Sequence, residues 1–461
     1  REIFAELEFR AVAKRILGEE LPGPQGQKSP PAGNQQDLFG NVVDSKSEKK
    51  EEEPVAPVLP AERNISNTPH QYISVDTEDK IQTLVSHLKT QNEVSFDTET
   101  TGIDANNADL VGLSFAWKAG EGYYVPVPPD REQAIKILSF FQPLFDDPKR
   151  FWVGQNIKYD LLVLKWYGVE IRGTLFDTML AHYVIEPEGK RNMDLLSAQY
   201  LGYEPVHIEE LIGKKGKGQG NMRDVALDKI TEYAAEDADI TWQLKQKFSP
   251  LLKSKSVEKV FLEVENPLVK VLTDMEFEGI RVDENFLKEY SKTLEKEAAQ
   301  AEESVYQQAG VRFNLSSPKQ LGEVLFDKLQ LDPKAKKTKT GQYATGEDVL
   351  LKLSHQSKIV DDILIYRELT KLKSTYVDAL PAIINRKTGR VHTSYAQAVA
   401  VTGRLSSNNP NLQNIPVRTE RGREIRKAFV PRDQDHVLVS ADYSQIELRI
   451  VAASRNRKRD V

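Results

Sequence analysis

The stretch Val94-Ser95-Phe96-Asp97-Thr98-Glu99-Thr100 constrains the fold of this chain more than any other. Apolar and polar residues alternate along it, which predicts a β-strand, and Leu110–Trp117 predicts a second strand that could pair with it. Alternate side chains of a strand share a face, so Asp97 and Glu99 point the same way, about 7 Å apart. Like charges at this distance repel each other, and carboxylate oxygens suit a divalent cation. The strand therefore predicts a metal site.

Length and composition limit the class of protein. The chain has 461 residues and no cysteine, so disulfides and thiolate metal sites are excluded and any metal is held by oxygen or histidine. The length allows two or three domains. We find no signal peptide and no apolar stretch of about 18 residues, which predicts a cytoplasmic protein without membrane contact. The net charge of -6 does not itself indicate nucleic-acid binding.

Changes in composition divide the chain into five segments. Residues 1–21 have a helical pattern, and residues 22–66 are a polar run that predicts a flexible linker. Residues 67–250 alternate strand and helix patterns, as expected for an α/β domain. Residues 251–390 are mainly helical, and residues 391–461 begin with a strand pattern.

One short apolar island lies inside the predicted linker. It contains Gln35, Leu38 and Phe39. The island resembles the short peptides that dock on bacterial sliding clamps, which makes a clamp a candidate partner. A chance apolar pair in a linker is the alternative.

Two further acidic segments lie in the α/β region. Asn156 and Asp160 are four residues apart, as are Tyr233 and Asp237, so each pair would share one face of a helix. Together with the two carboxylates of the first strand, they predict four carboxylates around one point. That set suits two Mg²⁺ ions bridging a phosphate, with Mn²⁺ as a substitute. The Tyr233 hydroxyl could orient the attacking water. Each residue taken alone is more often a solvated helix residue, a cap or a core aromatic.

The three segments in this order resemble a proofreading 3′→5′ exonuclease domain. The resemblance implies a ribonuclease H-like fold, with a mixed sheet flanked by helices, and two-metal hydrolysis of phosphodiester bonds. It also implies that Asn156 contacts DNA. All catalytic positions are filled. The segments that carry the resemblance are Phe96–Thr100, Gly154–Asp160 and Tyr233–Asp239.

The carboxy-terminal third carries a second constellation, in the blocks 402–429 and 442–449. Amides and arginines are dense around Gly and Pro in the first block, which suits contacts with a duplex backbone and its groove edges. Residues 436–441 predict a buried apolar strand that ends at Asp442. A carboxylate at that place suits a metal ion, and capping of the following helix is the alternative.

These blocks closely resemble the DNA polymerase I family (family A) of bacteria, and the resemblance extends over residues 4–452. It implies a thumb at residues 251–390 and the start of an α+β palm at 391–461. It further implies that Asp442 ligates the metal pair that binds the incoming nucleotide. Glu447 would exclude the ribose 2′-hydroxyl group, and Arg404 would contact the primer terminus.

A basic loop tip in the predicted thumb carries Lys336 and Lys337. Lysines at a loop tip suit a grip on DNA phosphates, whose strength would fall steeply with salt. An ordinary solvated loop is the alternative.

The family resemblance implies a longer parent protein that takes part in DNA replication and repair. Its partners would be primer-template DNA, single-stranded 3′ ends and deoxynucleoside triphosphates, and residues 1–21 would be the exit segment of a 5′ nuclease domain. The fingers helix and the second palm carboxylate of the family are not found in this sequence. Since one carboxylate cannot assemble a two-metal polymerase site, we expect exonuclease activity and no templated synthesis from these 461 residues. A free-standing exoribonuclease and a non-catalytic DNA-binding module remain open as alternatives.

Overall fold

The computed structural model describes residues 61–338 and 341–457. The predicted exit segment, the linker up to residue 60 and the three residues of the clamp-binding island lie outside this part. The folded region begins before the predicted boundary at residue 67, because strand β1 (Arg63–Asn64) pairs in parallel with β8 (Tyr203–Glu204). The end of the predicted linker therefore belongs to the α/β domain.

A six-stranded mixed sheet forms the centre of the first domain. Its strands are β2 (Gln71–Ser74), β3 (Glu93–Thr100), β4 (Leu110–Lys118), β5 (Glu121–Pro126), β6 (Phe151–Gly154) and β7 (Thr174–Asp177). Their spatial order is β2-β5-β4-β3-β6-β7. Strand β3 pairs antiparallel with β4, which confirms the predicted pairing, and parallel with β6. The strand that carries the paired carboxylates therefore lies inside the sheet, with a neighbour on each side.

Seven helices accompany this sheet. They are α1 (Glu78–Lys89), α2 (Arg131–Phe145), α3 (Lys158–Trp166), α4 (Thr178–Ile185), α5 (Met193–Leu201), α6 (Ile208–Ile212) and α7 (Leu227–Ser254). Polar side chains start several of them: Thr77, Asp130 and Asp177 accept backbone N–H groups in the first turns of α1, α2 and α4. The longest, α7, packs against β3, β4 and β5.

Aromatic side chains fill the core on one face of the sheet. Phe96 of β3 packs edge-on against Trp152 of β6, with ring centroids 5.4 Å apart. Phe115 of β4 stacks on Phe141 of α2, with centroids 5.1 Å apart. All four side chains are fully buried. Phe96 thus fixes β3 in the core, and Asp97 and Glu99 follow it along the strand.

The second half of the described chain is mainly helical, as predicted. Its helices are α8 (Glu258–Val260), α9 (Asn266–Glu278), α10 (Glu284–Ala309), α11 (Pro318–Gly322), α12 (Glu347–Leu353), α13 (Lys358–Leu372), α14 (Ala379–Ala382), α15 (Glu420–Ile425) and α16 (Ile446–Arg457). Short π-helical segments follow α8, α11 and α13. The strands β9 (Ile280–Val282), β10 (Arg390–Val391) and β13 (Phe429–Val430) form one small sheet, and β11 (Ser394–Ala396) pairs with β12 (Ser406–Asn408). No described helix is both long and apolar enough to cross a membrane.

The predicted buried strand at 436–441 is wrong. Val437 and Val439 are 80% and 83% exposed, and this segment has no regular secondary structure. A strand is stable only when its backbone groups pair with neighbouring strands, and no strand of the described chain pairs with this segment. Asp442 is consequently exposed, although the helix predicted after it is present as α16.

We expect the substitution Gly122→Ala to lower the free energy of unfolding. A Cβ atom at Gly122 of β5 would lie 2.6 Å from the carbonyl oxygen of Ala235, so helix α7 would have to move. Such overpacking typically costs about 1–3 kcal/mol, measurable by urea denaturation. Gly102→Ala is the matched control, because nothing lies within 4 Å of a Cβ there. Equal stabilities of the two variants would contradict this account of how α7 packs against the sheet.

Candidate active site

Three carboxylates converge between β3 and α7. Asp97 and Glu99 come from the strand and Asp237 from the helix, and one oxygen of each lies within 4.8 Å of the others. Glu99 and Asp237 are buried, and Asp97 is half-buried. The two-residue spacing along β3 places both strand carboxylates on the face toward α7, as the alternation of side chains requires. The structure thus brings together three of the four predicted ligands.

The fourth predicted ligand, Asp160, lies beside this group. Its Oδ1 atom accepts hydrogen bonds from the backbone N–H and the hydroxyl of Thr98, at 2.9 and 2.5 Å. Asp160 is in the first turn of α3, so these bonds tie that helix to the middle of β3. Burial, and then the neighbouring Asp97 carboxylate, raise the pKa of Asp160 well above its usual value. Asp160 therefore belongs to the same electrostatic environment as the other three.

Burial and mutual repulsion shift the titration of the whole cluster. Burial raises the pKa of Asp97 to about 7. Burial and the charge of Asp97 raise the pKa of Glu99, and burial followed by the charges of Asp97 and Glu99 raises that of Asp237. A carboxylate is disfavoured where water is excluded and like charges are close. Without a cation, the cluster therefore retains protons near neutral pH.

The chemistry of these donors fits a divalent cation. The Oε1 atom of Glu99 is buried and has no hydrogen-bond partner in the described structure. A buried polar atom without a partner is destabilising unless an ion or water completes its interactions. A cation would satisfy this oxygen and compensate the repulsion among the carboxylates, and oxygen ligands are those that Mg²⁺ and Mn²⁺ prefer. The donor set supports metal binding and does not by itself identify the ion or the number of ions.

Tyr233 lies one turn before Asp237 on α7, as the four-residue spacing predicted. Its hydroxyl group lies close enough to Asp237, Glu99 and Asp97 for their charges to act on its pKa. Burial, and then the charge of Asp237, raise the pKa of Tyr233 well above its usual value, so the phenol is uncharged at neutral pH. Tyr233 therefore presents a neutral hydroxyl group beside the cluster, able to donate and to accept.

Asn156 does not share a helical face with Asp160, contrary to prediction. Helix α3 begins at Lys158, and Asn156 lies before it with a left-handed backbone (φ 56°). Asp177 causes this conformation, because its carboxylate accepts the N–H groups of Asn156 at 3.2 Å and Ile157 at 2.9 Å. Asparagine is among the residues that tolerate this conformation. The Asn156 side chain is exposed at the turn that precedes Asp160.

Asp177 is a site-shaping residue that sequence analysis missed. It is fully buried at the end of β7, and its carboxylate also accepts the N–H of Leu180 at 3.1 Å to start α4. Burial raises its pKa to about 6, while the backbone N–H groups oppose that shift. An Asp between a strand pattern and a helical pattern is a recognisable helix cap. That signal was available, although its bonds to the turn at Asn156 were not.

The residues predicted for the second constellation are separate from this cluster. Arg404, Glu447 and Asp442 are exposed. Asp442 belongs to no group of three metal-ligating side chains in the described chain. Lys336 and Lys337 are exposed at the loop tip, and the Lys337 ammonium lies 4.5 Å from the ring centroid of Tyr343.

Each half of the chain matches the model of a known protein family. Residues 72–253 match the model of the 3′-5′ exonuclease family, and residues 284–459 match that of DNA polymerase family A. The carboxy-terminal region of the chain is thus similar to DNA polymerase family A, and its α/β domain to the 3′-5′ exonuclease family. The α/β domain that holds the carboxylate cluster is thus the exonuclease domain, which confirms the resemblance seen in the sequence.

Two bacterial DNA polymerases I are among the curated relatives of this chain. DNA polymerase I of Pseudomonas aeruginosa is 47% identical over 370 residues, which are 78% of this chain and 40% of that protein. DNA polymerase I of Chloroflexus aurantiacus is 43% identical over 377 residues, or 80% of this chain and 40% of that protein. This chain therefore spans about 40% of the length of these relatives.

A solved structure is similar to this chain in fold. It is the polymerase domain of Pol1 from M. smegmatis in complex with DNA primer-template and dNTP. The TM-score is 0.68 at 30% sequence identity, and the match covers 82% of this chain and 62% of that one. The order of an exonuclease domain, a helical region and part of a polymerase domain is consistent with this match.

We expect a divalent cation to bind the carboxylate cluster more tightly as the pH rises through about 7, the raised pKa of Asp97. Raised carboxyl pKa values mean that protons occupy the site near neutral pH, and these protons must leave when a cation binds. Calorimetric titration with Mn²⁺ should show affinity at least about 10-fold higher near pH 8 than near pH 6. The heat should also depend on the buffer, because protons are released. An affinity that does not change with pH would contradict the proton-retaining state of the cluster.

Proposed function

We propose that this chain removes nucleotides from the 3′ end of DNA by hydrolysis. The observation that carries the proposal is the convergence of Asp97, Glu99 and Asp237 within 4.8 Å, inside the exonuclease domain. Asp160, fixed against β3 by Thr98, would complete the set of ligands. Template-directed DNA synthesis with proofreading is the activity that we propose for a longer protein containing this chain.

The residues of the site would have separate roles in phosphodiester hydrolysis. Two Mg²⁺ ions, or Mn²⁺ in their place, would supply an activated water and compensation of charge on the departing 3′ oxygen. The four carboxylates would hold these ions, and the neutral Tyr233 hydroxyl would orient the water toward the phosphorus. Asp237, one turn further along α7, would in turn help to orient Tyr233. Asn156, exposed at the turn before Asp160, would contact the terminal nucleotides.

The second half of the chain would bind the duplex. The M. smegmatis structure contains DNA primer-template and dNTP, which supports DNA as the partner of this chain and favours DNA over RNA. Lys336 and Lys337 would contact phosphates, and Arg404 would contact the primer terminus. Asp442 and Glu447 would act on the incoming nucleotide in a longer protein. A sliding clamp as partner of the island at Gln35 and a cytoplasmic location remain predictions from the sequence.

We expect the double substitution Asp97→Ala with Glu99→Ala to abolish release of mononucleotides from a 5′-labelled DNA strand in the presence of Mg²⁺. Two of the four proposed ligands are lost, so catalysis should fall by at least about 10³-fold. Glu78→Ala with Asp79→Ala is the matched control, since both acidic residues are exposed in the first turn of α1. Hydrolysis at the wild-type rate by the first variant would overturn the assignment of the site.

We expect no nucleotide incorporation by this chain on a primed template, even with all four deoxynucleoside triphosphates and Mg²⁺. In the described residues Asp442 belongs to no group of three metal-ligating side chains, whereas phosphoryl transfer by two metals requires more than one such ligand. Denaturing gels of the same labelled primer report extension and shortening together. Primer extension would contradict this prediction, and the exonuclease proposal would be unaffected by it.

A further inference from the structure

A lysine-rich loop lies between helix α6 and the short helical turn Met222–Asp224. We call residues 213–220 the lysine loop; its sequence is Gly-Lys-Lys-Gly-Lys-Gly-Gln-Gly. Lys214, Lys215 and Lys217 are all exposed. None of the three forms an ion pair with any residue that the structure describes. Their positive charges are therefore available to a ligand.

The carboxyl end of the lysine loop is attached to the strands that carry the active site. The Asn221 side chain donates a hydrogen bond to the carbonyl of Thr101 at 3.3 Å, two residues after Glu99. Arg223 donates to the carbonyl oxygens of Leu110 and Val127, at 2.6 and 3.1 Å. These bonds fix the end of the loop where β3 ends and β4 begins, two residues along the chain from Glu99.

The amino end of the loop is attached to the helix that carries Asp237. Leu211 and Ile212 pack against a hydrophobic cluster that contains Ala234 of α7, and Tyr233 packs against the same cluster. The N–H of Gly220 donates to the carbonyl of Ile212 at 2.7 Å, which closes the loop at its base. Both ends of the loop thus rest on elements that position the catalytic residues.

The reach of the loop keeps its lysines near the site. No residue of the eight is more than four residues from the closed base, so no backbone atom lies farther than about 14 Å from it. Gly213 and Gly216 have backbone conformations with φ of 81° and 152°, which other residues adopt only with strain. The glycines therefore allow a tight course in which three lysines project from a short segment.

The positive charges of these lysines can offset the negative charge of the carboxylate cluster. The carboxylate cluster repels the phosphates of an incoming strand, and a neighbouring cationic surface would offset that repulsion. Two other nearby cations are already engaged, since Arg223 donates to backbone carbonyls and Lys158 pairs with Glu276. The lysine loop supplies three free charges at the edge of the site.

We propose that Lys214, Lys215 and Lys217 bind phosphates of the single strand whose 3′ end enters the exonuclease site. Ammonium groups on a glycine-rich loop recognise the nucleic-acid backbone and not the bases, so binding is independent of sequence. The loop is a positioning surface: it holds the strand and takes no part in hydrolysis. This inference rests on the proposed exonuclease function and adds the surface that guides its substrate.

The test compares the whole chain with the triple variant Lys214→Gln, Lys215→Gln, Lys217→Gln. Fluorescence anisotropy with a short labelled oligothymidylate in EDTA measures binding without hydrolysis. Three lost phosphate contacts should weaken binding by about 10- to 100-fold at low salt and reduce the slope of log affinity against log salt by about 2. In the exonuclease assay KM should rise while kcat is unchanged.

Lys247→Gln, Lys253→Gln, Lys255→Gln is the matched control. These exposed lysines lie at the far end of α7, at least about 15 Å along the helix axis from Asp237. The control should keep the wild-type salt slope. The proposal is overturned if the loop variant keeps the wild-type affinity and slope, which would favour an acidic protein as the ligand, or if the control loses as much. Failure of the exonuclease proposal would look different, since the wild-type chain itself would not hydrolyse the strand.

Discussion

The structure of the first domain depends on holding several carboxylates close together where water is largely excluded. Asp97, Glu99 and Asp237 would repel one another and relax apart if they lay on flexible segments. Instead, β3 has a strand on each side and a core of aromatic rings, and Thr98 fixes Asp160 with two hydrogen bonds. The repulsion therefore raises the pKa values of the carboxyl groups and does not move these groups apart. A divalent cation bound among these carboxylates would compensate their mutual repulsion.

Helix α7 is the second element that makes this arrangement possible. Its backbone approaches β5 so closely that only glycine fits at position 122.

Two acidic residues that flank Asp237 explain how helix α7 is held in place. Glu236 accepts hydrogen bonds from the Tyr203 hydroxyl at 2.5 Å and the Val206 N–H at 2.7 Å. Asp239 accepts from the Tyr72 hydroxyl at 3.0 Å and the Gly120 N–H at 2.9 Å. Of three neighbouring acidic residues, the outer two anchor the helix and Asp237 faces the site.

Sequence analysis succeeded where local periodicity decides the structure. Alternation identified β3 and placed its two carboxylates on one face, and four-residue spacing placed Tyr233 beside Asp237. It failed where a distant residue decides. The left-handed turn at Asn156 depends on backbone N–H groups that donate hydrogen bonds to Asp177, twenty-one residues away. The apolar run 436–441 has the composition of a strand, but a strand needs neighbours that local sequence does not reveal.

The most direct test of this account is anomalous X-ray diffraction from crystals of the chain soaked in Mn²⁺. The account predicts an anomalous peak bounded by the oxygens of Asp97, Glu99 and Asp237, with Asp160 beside it, and the loss of that peak in crystals of Asp97→Ala with Glu99→Ala. Well-ordered crystals that show no peak between β3 and α7, or a peak that the double variant retains, would contradict the claim that these carboxylates form a metal site.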